Sequence, residues 1–181
     1  MDFWDRRLFD GCREWACERA RGDVLEVAVG TGRNLSHYRD DVRLTGVDWS
    51  AAMLDLARRR ATRPVDLRQG DAQGLEFAGE SFDTVVCVLG LCAIPDDRKA
   101  LAEMTRVLRP GGRLVLVDHV AASGWPLRAA QWLYERISIP LDGEHFRRRP
   151  ILHVRDLGLA VDETERRKRG VVELVSARKP G

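Results

Sequence analysis

Apolar residues follow two rhythms along the chain. Short runs rich in β-branched residues, Val24 to Val29, Arg43 to Asp48, Val65 to Gln69, "TVVCVL" (84–89) and "RLVLVD" (113–118), alternate with stretches in which apolar side chains return every three or four positions. The runs predict strands buried on both faces, and the stretches predict amphipathic helices. One helix is expected over 33–39. Another is expected from Ser50, a good N-cap, through Arg60, with Met53, Leu54 and Ala57 on one face. A third begins near Asp96 or Asp97, carries Leu101, Met104, Val107 and Leu108, and stops at Pro110, Gly111 and Gly112, because proline cannot continue the helical ladder. Ahead of them Trp4, Leu8, Cys12 and Trp15 recur at helical spacing and predict an opening helix that packs on the domain as a lid.

Strand and helix alternate to residue 118, which argues for a parallel sheet with helices on both faces. After Asp118 the rhythm changes. Leu127, Ala130, Leu133, Tyr134 and Ile137 predict a further helix, 141–150 a loop, and Ile151 to Leu157 a short helix stopped by Gly158. The runs 160–168 and 171–178 meet at Gly170 with no room for a helical crossover, so they must pair antiparallel as a hairpin.

Composition narrows the class. A chain of 181 residues suits one domain, and 44% hydrophobic with 32% charged residues is ordinary for a globular protein; the mean hydropathy is −0.31. No apolar stretch nears the roughly 18 residues of a spanning helix, and Asp2, Asp5, Arg6 and Arg7 do not make a signal peptide, which places the chain in the cytoplasm. Cys12, Cys17, Cys87 and Cys92 lack zinc-knuckle spacing, so reduced, half-buried thiols and no metal are expected. The net charge of +2 does not argue for nucleic acid, and the basic runs 147–149 and 166–169 read as solvated faces.

The chemistry concentrates at "VLEVAVGTGRNL" (24–35). Glycines where a strand turns into a helix let backbone approach a ligand closely, and in an open parallel sheet that ligand sits at the carboxyl edge where strand order reverses. A dinucleotide fingerprint needs glycines at 28, 30 and 33 or at 30, 32 and 35; Ala28, Arg33 and Leu35 break both frames, and no Lys-Ser or Lys-Thr pair follows to cradle a phosphate. Asp48, 16 residues beyond Gly32, ends the next strand, where a carboxylate can accept both ribose hydroxyls of an adenosine. Glu26, beside the glycines and without a nearby lysine, is ill placed for a pyrophosphate and well placed for an amino group and a sulfonium. Adenosine at one end and a cationic amino acid at the other describe S-adenosylmethionine.

The chain resembles class I S-adenosylmethionine-dependent methyltransferases over nearly its whole length, through "LEVAVGTG" (25–32), "GVDWSAAML" (46–54), "GDA" (70–72), "FDTVVCVLGLC" (82–92) and "VLRPGGRLVLVDH" (107–119). The resemblance implies an α/β, Rossmann-like doubly wound sheet, mostly parallel with a C-terminal antiparallel hairpin. It divides one domain into a lid helix (1–22), a cofactor-binding core (23–119) and a substrate side (120–181). It implies Gly30 and Gly32 against the methionine portion, Glu26 near its amino end, Asp48 on the ribose, Trp49 and Met53 against adenine, Asp71 and the Ala72 amide on the adenine edge, and Leu89 near the sulfonium. The family usually has glycine where Ala28 stands, and the added methyl would shift the cofactor slightly without excluding it.

Methyl transfer from a sulfonium is an in-line displacement that mainly requires positioning, although a thiol or hydroxyl acceptor must lose a proton. His119, at the carboxyl end of the fifth strand, and His145, in "LDGEHF", are the candidate recipients; His37, His153 and Cys87 read as structural. "LGLC" (89–92) occupies the place where base-methylating relatives carry an Asn/Asp-Pro-Pro-Tyr stretch, which disfavours nucleic acid. "VVCVLGLCAIPD", "DHVA" and Trp132 beside Gln131 resemble methyltransferases of small lipophilic thiols, and "LSHYRDDVRLTGVDWSAAMLDLARRR" resembles small bacterial phospholipid N-methyltransferases. Three functions follow: methylation of a small, largely apolar molecule at sulfur, oxygen or nitrogen; methylation of phosphatidylethanolamine at a membrane surface, the opening helix touching the membrane peripherally; and silent cofactor binding. The oligomeric state is not encoded in any motif.

Overall fold

The computed structural model describes residues 9, 11–142 and 145–181. Seven strands, β1 (Asp23–Val27), β2 (Arg43–Asp48), β3 (Asp66–Gln69), β4 (Phe82–Val88), β5 (Leu108–His119), β6 (Ala160–Arg167) and β7 (Val172–Arg178), form one sheet in the order β3-β2-β1-β4-β5-β7-β6. β1 to β5 pair in parallel, and β7 runs antiparallel to both β5 and β6. The expected hairpin is present, with its second strand inserted between β5 and its first. Among the described residues no helix is long and apolar enough to cross a membrane.

Alternation along the strands builds two cores. In β4, Val85 and Cys87 face one side, while Val86 and Val88 face the other. The first side is closed by α3 (Asp97–Val107) through Leu101 and Met104 and by α5 (Pro150–Asp156) through Ile151 and Val154; the second by α1 (Cys12–Cys17) and by Leu54 and Ala57 of α2 (Ala51–Arg60). With both faces buried, the strands show the continuous apolar runs of a covered parallel sheet. Caps fall where the sequence places them: Ser50 Oγ accepts from Met53 N (3.4 Å) and Asp96 Oδ1 from Lys99 N (3.0 Å). All four cysteines are buried, and none is in a disulfide.

Several expectations are corrected. The helix expected over 33–39 is one 3₁₀ turn, Leu35–His37, because the Asn34 side chain is drawn inward to Glu26 and Arg13 and Tyr38 is already extended. Met53 is 42% exposed and leaves the inward face of α2 to Leu54 and Ala57. The opening helix is as expected where it is described, with Cys12 and Trp15 of its apolar face buried against the sheet, and Trp4 and Leu8 lie outside the described residues. The basic runs are partly internal, since Arg148 donates to Leu91 O, Ile94 O and Pro95 O, and Arg166 to Ala121 O and Gly170 O. Pro110 to Gly112 form an excursion within β5, which pairs with β4 at Leu108 and again from Arg113.

β1 and β4 are the adjacent central strands at which strand order reverses, and both end on a left-handed residue that is not glycine, Ala28 (φ 57°) and Leu89 (φ 57°). A side chain in that region costs roughly 1 kcal/mol. Ala28 also occupies space: a Cβ on Gly90 would lie 2.6 Å from Ala28 Cβ and 3.0 Å from Cys87 Sγ. Gly90→Ala should therefore cost about 1–3 kcal/mol by overpacking, whereas Ala28→Gly should leave stability unchanged or raised. Combining the two should recover part of the loss, as read by urea unfolding; strictly additive effects would show that the two positions do not press on each other.

Candidate functional site

Strand order dictates where the chemistry gathers. At the carboxyl ends of β1, β2 and β4 a cleft of 420 Å³ is lined by Ala28, Asp48, Trp49, Asp71, Ala72 and, across from them, Ala93 to Pro95. That volume lies within the roughly 300–1,000 Å³ of small-ligand sites. Five of the ten residues expected to hold cofactor thus line one cavity; Glu26, Gly30, Gly32, Met53 and Leu89 are not part of that lining.

Asp48 organises the cleft. Its Oδ2 accepts from Gly30 N (2.8 Å) and its Oδ1 from Ser50 N (2.9 Å), so one carboxylate ties the turn after β1 to the start of α2. Each oxygen keeps a further lone pair, and fixing the group in advance suits it to grip a diol. Gly30 (φ 55°) and Gly32 (φ 74°) hold the turn in the left-handed region. A Cβ on Gly30 would have only Ala28 O near it, at 3.9 Å, whereas one on Gly32 would strike Leu35 and Ala57 within 3.0 Å. Gly30 therefore leaves backbone open on the ligand side, and Gly32 lets the turn pack on α2.

Trp49 is 79% exposed at the rim of the cleft. An indole left so open gains most from a flat partner laid against it. Asp71 accepts from Gln73 N (2.8 Å) and from the Gln73 side chain, and these donors hold its pKa below the ordinary carboxylate value, so it stands ionised at the cavity wall. Arg148 braces the opposite wall through its three carbonyl contacts on 91–95, with Asp97 Oδ1 3.7 Å away. Its partners are backbone oxygens, which leave no trace in sequence, and so the motif reading missed it.

Glu26 is fully buried behind the glycine turn. Asn34 Nδ2 donates to its Oε1 (2.7 Å), and Oε2 has no hydrogen-bond partner. Burial pushes its pKa up to about 7, the Asn34 and Tyr38 side chains and Arg13 pulling the other way. A buried carboxylate with one unsatisfied oxygen beside an open turn is the environment a cationic amino group would complete. On that ground the residues present fit the adenosyl sulfonium expected from sequence.

Beyond β5 lies a second cluster. Asp118 accepts from Cys92 N (3.0 Å) and His119 N (2.7 Å), and burial raises its pKa to about 6 against these donors and the Cys92 thiol. His119 Nδ1 is 4.0 Å from Asp118 Oδ1, and the ring packs between Phe9 (4.8 Å) and Phe146 (5.1 Å). Cys92, Asp118 and His119 offer ligand atoms within 4.8 Å of one another, a set in which the thiol and carboxylate already engage each other. His145 N donates to Cys92 O (2.8 Å), bringing the second candidate histidine to the same loop, and burial together with Arg148 lowers its pKa.

A family profile described as a methyltransferase domain matches residues 25–116. The chain is 44% identical over 115 residues to a phosphatidylethanolamine N-methyltransferase of Cereibacter sphaeroides, covering 61% of this chain and 57% of that protein. It is 40% identical over 119 residues to a demethylmenaquinone methyltransferase of Renibacterium salmoninarum, covering 65% and 49%. The chain thus spans about half the length of these curated relatives. Among solved structures, an S-adenosylmethionine-dependent methyltransferase of Mesorhizobium loti has the same fold, with TM-score 0.71 and 21% identity over 94% of this chain and 100% of that one.

Glu26 and Asp118 hold protons more tightly in the fold than unfolded, so their stabilising effect is full below the ordinary carboxylate range and is lost as pH rises through about 6 and about 7. Without ligand, Glu26→Gln should be more stable than the parent at pH 8 by about 3 kcal/mol and nearly equal to it at pH 4.5, read by urea unfolding. A constant difference at both values would mean that Glu26 does not titrate in the fold.

Proposed function

The chain belongs to the class I S-adenosylmethionine-dependent methyltransferases, and from that premise we propose that it transfers a methyl group to a small, largely apolar acceptor. The observation that carries this reading is the Asp48 carboxylate, locked to Gly30 N and Ser50 N at the mouth of the 420 Å³ cleft, with Glu26 buried behind it. S-adenosylmethionine supplies, when bound, a methyl group on a sulfonium that is its own leaving group.

The chain's task is then to bind, orient and keep dry. Asp48 takes the ribose hydroxyls, Trp49 covers the adenine with Met53 at the edge, and Asp71 with the Ala72 amide reads the adenine rim. Glu26 neutralises the amino end, Gly30 and Gly32 shape the backbone beneath it, and Ala28 and Leu89 flank the reacting group. Left-handed Ala28 and Leu89 set the ends of the two central strands that border it. At the far side, His119 is the group that takes a proton from the acceptor. Asp118, 4.0 Å from Nδ1, favours the proton on that nitrogen and leaves Nε2 to accept another. His145, its pKa lowered, stays neutral near pH 7 and is the second acceptor of protons.

A second reading, methylation of the phosphatidylethanolamine headgroup, is favoured by the Cereibacter relative. Transfer of a labelled methyl group into phosphatidylethanolamine, a demethylated quinone or a small lipophilic thiol separates the acceptors. Binding of S-adenosylhomocysteine with no transfer to any of the three would replace both readings with silent cofactor binding.

Asp48→Ala should weaken S-adenosylhomocysteine binding by about 10–100-fold, the loss of charge-assisted hydrogen bonds, as measured by calorimetry; an unchanged affinity removes Asp48 from the site. His119→Ala should leave that affinity within about twofold while lowering kcat by on the order of 100-fold or more for a thiol or hydroxyl acceptor. An unaltered pH–rate profile in that variant would reject His119 as the proton acceptor.

A further inference from the structure

α4 (Trp125–Asp142) is built inside out. Gln131, Glu135 and Ser138, spaced i, i+4 and i+7, are buried. Ala130, Leu133, Tyr134 and Ile137, spaced i, i+3, i+4 and i+7, form an outward face, Leu133 62% and Ile137 58% exposed, with Trp125 79% exposed at the helix start. The inward contacts are polar. Gln131 accepts from Ala122 N (2.8 Å) and donates to Val120 O (3.0 Å) and Phe146 O (3.2 Å); Glu135 accepts from Phe146 N and Arg147 N (2.8 Å each) and from the Arg147 guanidinium. A helix packed for water shows the reverse arrangement, and a contiguous exposed apolar face marks a docking surface.

Charge selects the occupant. Among the described side chains of α4 the one carboxylate, Glu135, is turned inward, whereas Arg128 and Arg136 are exposed on the helix. Arg136 lies over the Trp132 ring at 4.2 Å, and Arg169 edges a 430 Å³ groove formed with Pro126, Leu127 and Ala130. A second copy docked by a two-fold would oppose two basic rims. An anionic lipid surface takes up the apolar face and the arginines together. Tyr134 touches Phe146 (5.2 Å between rings), which in turn touches His119, so an aromatic row leads from this face to the cluster at the end of β5.

We propose that α4 lies in the plane of an anionic membrane surface, with Trp125, Leu133 and Ile137 inserted among the lipids, and that a lipid-soluble acceptor enters along the Tyr134–Phe146 row. The entry route rests on the methyltransferase reading; the membrane contact does not. The test is co-sedimentation with vesicles of phosphatidylcholine containing about 30 mol % phosphatidylglycerol and with phosphatidylcholine alone. The parent protein should bind the anionic vesicles and release them in high salt. L133E/I137E should lose binding by at least about tenfold, since each change removes a large inserted side chain, and R128A/R136A should bind more weakly while losing its salt dependence. Calorimetry with S-adenosylhomocysteine should give the parent affinity for both variants, which shows an intact fold and cofactor site. Failure of the parent to sediment with anionic vesicles, equal sedimentation of L133E/I137E, or a parent dimer that L133E/I137E dissociates would each overturn the membrane assignment. Absence of S-adenosylhomocysteine binding in all three proteins would instead overturn the function proposed above and leave the vesicle result standing.

Discussion

The two hydrogen bonds accepted by Asp48 hold the ligand edge together. A strand end, a glycine turn and a helix start converge on one carboxylate, through Gly30 N at 2.8 Å and Ser50 N at 2.9 Å. Backbone amides at a left-handed turn and at a helix start are the donors such an edge leaves without intrahelical or ladder partners. Satisfying them with a side chain from the neighbouring strand fixes the turn without filling the cleft. Were the amides met by water instead, Gly30 would keep its φ of 55° only at the expense of mobility, and the floor of the cavity would lose its shape.

The opposite wall depends on a different economy. Arg148 spends its guanidinium on three carbonyls of 91–95, and away from the cleft, beside the Asp118–His119 cluster, Gln131 bonds the backbone at Val120, Ala122 and Phe146 in the same way. Long polar side chains thus replace regular secondary structure where the chain must be irregular to line a pocket. The contrast with the first wall is one of chemistry: acidic and glycine-rich beneath the cleft, braced by a cation above it.

The sequence carried the sheet well because both of its faces are covered. Val85 to Val88 can alternate between two cores only in a buried parallel strand, and Arg43–Asp48 ends where its carboxylate is needed. Asp48 and the glycines drew notice through spacing, which reflects strand and turn lengths, whereas Asp71 entered only through the family resemblance of "GDA" (70–72). The outcome over 33–39 was not legible, since Asn34 answers to Glu26, eight residues away and on another element. Arg148 was invisible as a site residue because its hydrogen-bond partners there are main-chain atoms. In α4 the period was plain but the direction was not: spacing of i, i+3, i+4 and i+7 states that a face exists, and only tertiary contacts state which way it looks.

The placement of β7 has a bearing on how the chain is made. It follows β6 in sequence, yet it lies inside the sheet between β5 and β6. During synthesis β6 emerges first and has no neighbour to pair with, while the flank of β5 stays bare. Both edges are satisfied in a single event when residues 172–178 leave the ribosome. The nascent sheet is thus most exposed to wrong pairing in the interval just before residues 172–178 arrive, and a chaperone that shields strand edges would matter most at that moment.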